Sequence, residues 1–155
     1  MIRYIYTFFV GLFLAIFVGM GIAVFYPAPK APEAPIWYDK QLTTQELKAQ
    51  QQYDIKQKAY NKELWRYNRN VSMIVLVCAI IILAISLLLT EKLGVLADGI
   101  LLGGIFTLVY GIGRGMATDS NKYRFLVAGL GLAMTLGLGY IKFARRPESK
   151  LEKLE

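Results

Sequence analysis

The chain has 155 residues, of which 55% are hydrophobic, and carries a formal net charge of +7. Its charged residues lie in a few short zones separated by apolar runs of membrane-spanning length, and this distribution excludes an ordinary soluble domain. The chain has no histidine and a single cysteine, Cys78, so an intrachain disulfide is excluded and the commonest general base and metal ligand is missing.

The first predicted element is a transmembrane helix over residues 1–26, because positions 4–26 contain no charged residue and are numerous enough to span a membrane. A cleaved secretory signal is the alternative, but its apolar region is typically shorter, and a small-x-small cleavage site is missing after this run. We therefore predict an uncleaved signal anchor.

Residues 27–42 are predicted to form a stiff spacer. Pro27, Pro29, Pro32 and Pro35 alternate there with small and charged residues and favour an extended polyproline conformation. Such a spacer lifts the chain off the membrane surface, so that the following segment can fold back toward it.

One continuous helix is predicted for residues 43–89, which contain neither proline nor glycine and begin with Thr43 and Glu46 at the spacing of a capping box. Its length would be about 70 Å, roughly twice the thickness of a hydrocarbon core. Residues 43–70 are polar and are predicted to form an extramembrane helix. Residues 71–89 are apolar and are predicted to form the second transmembrane helix.

One face of the extramembrane helix is a candidate interaction face. It carries Tyr53, Tyr60, Leu64 and Tyr67, whose intervals of seven, four and three residues are those of a coiled-coil stripe. An isolated solvated helix with an interfacial aromatic belt around Trp65 and Tyr67 explains the same residues equally well. If the stripe packs, its partner is the spacer, a second copy or another protein.

The third and fourth transmembrane helices are predicted at residues 93–113 and 123–143, followed by a basic tail at residues 144–155. Only a short polar interruption, residues 90–92, separates the second and third helices, so these two should form an antiparallel hairpin. The fold class is thus all-α, with four transmembrane helices and a long extension of the second.

Small residues recur every fourth position in three of the four membrane segments, a spacing that lets helix backbones approach closely in lipid. The second segment lacks this pattern, so we expect the first, third and fourth helices to form the tight core while the second leans on it. The predicted helix-packing residues are Gly11, Ala15, Gly19, Gly99, Gly103, Thr107, Gly111, Gly129, Ala133 and Gly137.

Asp98 is the one acidic residue expected below the membrane surface, and ionisable groups at that depth raise a functional hypothesis. We favour a helix cap or an ion pair with Lys142, which should lie at similar depth, over a proton or ion site. Arg114, at the other end of the third helix, is expected to snorkel or to meet Asp119. No sequence motif for a catalytic, cofactor or metal site is found, so none is predicted.

Four crossings place both termini on one side of the membrane and residues 27–70 on the other. The side that carries the termini has seven Lys and Arg residues, and the other side has eleven. Because positive residues are enriched on the cytoplasmic side of a membrane, this count by itself predicts a cytoplasmic loop. However, the first helix often sets the orientation, and this one begins like a signal anchor with its N-terminus inside. We expect cytoplasmic termini and an extracytoplasmic loop in a plasma membrane.

Three stretches, YIYTFFVGLFLAIFVGMGIAVFYPAP, LADGILLGGIFTLVYGIGRGM and NKYRFLVAGLGLAMTLGLGYIKF, together resemble small uncharacterised four-helix membrane proteins of candidate-phyla (Patescibacteria-type) bacteria. The resemblance covers most of the chain. It implies a bacterial plasma membrane, and it implies no function and no catalytic residue.

Two hypotheses about function follow. The first is a non-enzymatic interaction protein that presents residues 43–70 to another membrane protein or to a second copy. The second is a small channel or transporter component built around Asp98. A membrane enzyme is disfavoured because it would need catalytic groups that face each other, and the membrane segments offer only one acidic residue, Asp98. Nucleic acid is not an expected partner, since basic residues that flank membrane helices usually contact anionic headgroups of the bilayer.

Overall fold

A computed structural model describes residues 1–34 and 44–144, apart from the side chains of residue 91 and residues 142–144. Within these ranges it contains four α-helices and no strand: α1 (Ile2–Phe25), α2 (Thr44–Leu93), α3 (Val95–Met116) and α4 (Asn121–Ala144). Each contains a stretch long and apolar enough to cross a membrane. The predicted all-α fold with four candidate transmembrane helices and a long second helix is therefore confirmed.

Some sequence predictions concern residues outside the described ranges. They are the capping box that involves Thr43, the later part of the spacer and residues 145–155 of the basic tail. The side chain of Lys142, proposed as a partner of Asp98, also lies outside the described residues.

Helix α2 is one helix of 50 residues and is about 75 Å long by helix rise. It extends four residues beyond the predicted end, and its last turns include a bond from the Thr90 hydroxyl to the carbonyl oxygen of Ser86. Gly94 alone links it to α3, with a φ of +40° that L side chains rarely adopt. This turn produces the predicted helical hairpin.

The most extensive interface joins α2 to α3 in an antiparallel arrangement. The hydroxyl groups of Ser72 and Ser86, both fully buried, each donate a 2.8 Å hydrogen bond across it, to the carbonyl oxygens of Gly111 and Ala97. In the most apolar stretches of both α2 and α3, 39% of the residues are buried, compared with 6% in α1 and 11% in α4. The hairpin of α2 and α3 is therefore the centre of the fold.

Helix α1 packs parallel to the first half of α3 through glycine contacts. A Cβ added at Gly11 would lie 2.9 Å from the backbone nitrogen of Gly103, and one at Gly99 would lie 2.8 Å from Cγ1 of Val10. Two backbones approach this closely only where side chains are absent. Of the predicted helix-packing residues, Gly11, Gly99 and Gly103 therefore lie at the contact between α1 and α3.

The small-residue row of α3 divides between two neighbours. Positions four apart rotate by about 40° per step, because the α-helix has about 3.6 residues per turn. Accordingly Gly103 faces Leu14 of α1, whereas Gly111 faces Val75 of α2. Thr107, between them, is buried and donates to the carbonyl oxygen of Gly103 in its own helix.

The arrangement of α4 differs from the prediction. Gly129, Ala133 and Gly137 are exposed, and α4 contacts α3 instead through Gly131, which lies against Ile112. In the described residues α4 packs mainly against α3, and it reaches α2 through a hydrogen bond from Tyr123 to Arg69, so it is the more peripheral helix and α2 is central. The reason is that the small residues of α2 that are buried in the bundle, Ser72, Ala79 and Ser86, are spaced seven residues apart, whereas the prediction considered only small residues at every fourth position.

The remaining predicted packing residues of α1 lie at the edge of its contact with α3. Ala15 is half-buried, and a Cβ at Gly19 would lie 3.9 Å from the ring of Tyr110, which is ordinary van der Waals contact. Close packing of α1 is therefore concentrated near Gly11.

Candidate functional site at the base of the rod

We call residues 44–70 of α2 the rod, since this is the described part of the predicted extramembrane helix. Its candidate interaction face changes character along its length. Tyr53 and Tyr60 are half-buried, Leu64 is half-buried against the apolar cluster of Tyr67, Val71 and Val75, and Tyr67 is only 7% exposed. The membrane-proximal end of the face is thus occupied within the chain, and its distal end keeps exposed surface.

Tyr67 is held by the end of α1. The rings of Tyr26 and Tyr67 stack with their centroids 5.3 Å apart and an interplanar angle of 2°. The side-chain amide of Asn70 donates a 3.0 Å hydrogen bond to the hydroxyl of Tyr26. These two contacts fix the place where α1 ends relative to the rod.

Arg114 connects the same point to α3. Its Nε donates to the hydroxyl of Tyr110 at 3.1 Å, and its Nη1 donates to Oδ1 of Asn68 at 3.0 Å. The guanidinium carbon lies 5.7 Å from the ring centroid of Tyr67 and 5.5 Å from that of Tyr110, which is cation–π distance. We call Tyr26, Tyr67, Asn68, Tyr110 and Arg114 the junction cluster.

The neutral partners of Arg114 in the junction cluster were not predicted from the sequence. Arg114 was expected to snorkel or to meet Asp119, but its hydrogen-bond partners among the described residues are an amide and a phenol. The i, i+4 spacing of Tyr110 and Arg114 on α3 was the one visible signal. The contribution of Asn68 depends on the tertiary contact between α2 and α3 and has no local signature.

Asp98 lies at the opposite end of the bundle, in the first turn of α3. Its carboxylate is 3.5 Å from Nη2 of Arg3 on α1, and the two side chains are 35% and 62% exposed. Exposed ion pairs of this kind contribute about 0–1 kcal/mol to stability. Since α3 begins at Val95 with Gly94 as its N-cap, the prediction that Asp98 caps the helix is wrong. Asp98 lies in an ion pair at a helix end, and the partner that the structure shows is Arg3.

The loop between α3 and α4 is braced beside the rod. The guanidinium of Arg124 donates through Nε and Nη2 to the carbonyl oxygen of Thr118, and the hydroxyl of Tyr123 donates to the carbonyl oxygen of Arg69 at 3.1 Å. Ser120 accepts a 3.4 Å bond from the backbone N–H of Tyr123 and thereby caps α4. The loop is thus tied to α4, and the first turn of α4 is tied to the rod.

A groove of about 240 Å³ lies between this loop and the rod. We call it the basic groove, because three of the seven side chains that line it are cations. The lining residues are Lys62, Trp65, Arg66, Arg69, Thr118, Asp119 and Ser120.

The junction cluster and the basic groove both lie where the rod meets the bundle. Neither has the arrangement of an acid, a base and a nucleophile that a catalytic site needs. Among the described residues, no three Asp, Glu or Cys side chains are grouped so as to hold a metal ion. The fold and these contacts define an all-α, multi-pass membrane protein whose second helix continues outward as a braced rod. The chain matches no protein-family model, no curated protein and no solved structure.

Proposed function

We propose that this protein is a non-enzymatic, membrane-anchored interaction and assembly protein that presents the rod to another membrane protein or to a second copy. The observation that carries the proposal is the continuity of α2, in which the rod and a transmembrane segment are one helix. A rod that is tied to α1 and α3 by the junction cluster projects in a defined direction, which a docking element requires.

The distal half of the rod is the favoured contact region. From Tyr67 to the start of α2 at Thr44 the rod extends about 35 Å from the junction cluster. Leu64 and Tyr67 are already packed within the chain, so the proposed contact falls on Tyr53 and Tyr60, with coiled-coil packing as the proposed mode.

The setting of the proposal is a bacterial plasma membrane, with the first helix as an uncleaved signal anchor, cytoplasmic termini and the rod outside. The parallel course of α1 and α3 supports two termini on one side, together with the antiparallel contact of α4 with α3, in which Gly115 meets Val127 and Gly131 meets Ile112. Labelling of a cysteine at Lys56 by a membrane-impermeant maleimide on intact cells tests the orientation. Labelling only after lysis would mean that the rod is cytoplasmic and the termini are outside.

Photo-crosslinking tests the proposed contact. A photoreactive amino acid at Tyr53 or Tyr60 should trap a neighbouring protein or a second copy in native membranes. The matched control is Ile55, which is 68% exposed on the same rod but lies off this face. A clean monomer from all three positions contradicts the proposal, and equal capture from Ile55 contradicts the choice of face.

A further inference from the structure

The basic groove opens at the level where the rod leaves the apolar part of the bundle. Arg69 is two residues before Val71, where the uncharged stretch of α2 begins. Lys62 lies about 10 Å further out by helix rise. The headgroup layer on each side of a hydrocarbon core is roughly 5–8 Å deep. By helix rise Arg69 and Arg66 lie about 3 and 8 Å from Val71 and are therefore at headgroup depth, whereas Lys62 lies about 14 Å from Val71, outside this layer.

The charges of the groove are poorly balanced within the chain. Lys62, Arg66 and Arg69 follow one another at intervals of four and three residues and so share a face of α2. Asp119 is the one carboxylate in the lining, and no described carboxylate forms an ion pair with any of the three cations. Like charges at such intervals repel, so an anion placed among them is stabilised.

The walls of the groove are held in place without a ligand. Arg124 ties the loop to α4, Tyr123 ties the first turn of α4 to the rod, and Thr118 is 3% exposed. Trp65 borders the groove and is 39% exposed, and tryptophan is enriched at membrane–water interfaces. A preformed polar site next to an interfacial tryptophan is suited to binding a polar group of the membrane–water interface.

From this geometry we propose that the basic groove binds the phosphate headgroup of an anionic phospholipid from the leaflet on the rod side. Arginine side chains bind phosphate oxygens through paired, charge-assisted hydrogen bonds, and Lys62 adds a point charge. A free phosphate ion has the same oxygens. The lipid is favoured because Arg66 and Arg69 lie at headgroup depth, where lipid phosphate groups are concentrated.

Native mass spectrometry of the full chain, released from phosphatidylcholine nanodiscs that contain a minority of phosphatidylglycerol, tests this proposal. The groove variant is K62Q/R66Q/R69Q, and the matched control is K48Q/K56Q/K58Q, which removes three exposed lysines from the distal rod. Each cation near an anionic membrane surface changes affinity about fivefold, so retained phosphatidylglycerol should fall on the order of a hundredfold in the groove variant. The control should retain it.

Three results would overturn the proposal. Equal loss in both variants would mean general attraction of basic residues to the membrane. Unchanged retention in the groove variant would remove the site. If inorganic phosphate displaces bound phosphatidylglycerol as effectively as added phosphatidylglycerol does, the groove is a site for a soluble anion. If the groove variant does not elute as the native protein does, R66Q alone is used, with an expected loss of about fivefold.

Discussion

Replacement of Arg114 by leucine should weaken the attachment of the rod to the bundle. The change removes the donor to Asn68, whose side chain is only 5% exposed, and an unpaired buried polar group costs about 1–3 kcal/mol. It also removes two cation–π contacts of about 0.5–1 kcal/mol each. Because Arg114 itself is half-buried, we expect a loss of about 2–4 kcal/mol in the free energy of unfolding.

Two measurements check this prediction in a Cys78→Ala background. Denaturant titration in mixed micelles gives the free energy of unfolding. Double electron–electron resonance between spin labels at Gln52 on the rod and Met116 on α3 gives the distribution of distances between the two labels. This distribution should broaden in the Arg114→Leu variant. The matched control is Lys122→Leu, an exposed cation at the same end of the bundle.

The reasoning is refuted if the Arg114→Leu variant keeps the native distance distribution and loses no more stability than the Lys122→Leu variant. Such a result would mean that the stacked tyrosines and the apolar packing below them hold the rod on their own. A loss of stability with an unchanged distribution would keep the cluster as a source of stability but remove its role in directing the rod.

Further predictions concern the helix contacts. Gly11→Ala places a Cβ 2.9 Å from a backbone nitrogen of α3 and should therefore destabilise the protein by about 1–3 kcal/mol in the same denaturant titration. Gly21→Ala is the control and should not destabilise it, because a Cβ at Gly21 meets no described atom of another helix within 4 Å. Gly94→Ala should cost about 1–2 kcal/mol because of its positive φ, and the Gly21 variant again serves as the control. Asp98→Asn, which breaks the exposed pair with Arg3, should change stability by less than about 1 kcal/mol and leave proton flux into reconstituted vesicles unchanged; an altered flux would revive the channel hypothesis.

The number of helices and the long second helix could be predicted from the sequence because they depend on local properties. Apolar length identifies each membrane segment, and the lack of proline and glycine in α2 allows the rod and the span to be one helix. The end of α2 was placed four residues early. Thr90 and its polar neighbours looked like a loop, but a single glycine, Gly94, was sufficient for the turn.

The packing arrangement was harder to predict, because small residues were counted without their register. Ser72, Ala79 and Ser86 recur at intervals of seven on α2, and all three are fully buried in the structure. A seven-residue repeat of small residues is a helix-packing signal of the same kind as the glycine rows. The row on α4 has the expected spacing, yet a Cβ added at Gly129 or Gly137 would meet no described atom of another helix within 4 Å, since spacing alone does not specify a partner.

The candidate sites were predictable only where neighbours are close in sequence. Tyr110 and Arg114 are one turn apart, and Lys62, Arg66 and Arg69 share a helix face, so both groups are visible in the sequence. The stack of Tyr26 on Tyr67 and the bond from Arg114 to Asn68 join residues more than 40 positions apart. These contacts follow from how three helices meet, and the sequence pattern of each helix carries no information about that meeting point.

The single-helix character of α2 has a mechanical consequence. The junction cluster at Tyr67 divides the helix into an outer arm of about 35 Å and an inner arm of about 40 Å, which ends at Gly94. If α2 tilts as one body about that point, a sideways displacement of the rod tip produces a displacement of similar size, in the opposite direction, at the far membrane surface. Because Ser72 and Ser86 bond the inner arm to α3, such a tilt has to move α3 as well, and a load on the rod tip is therefore shared by the whole hairpin.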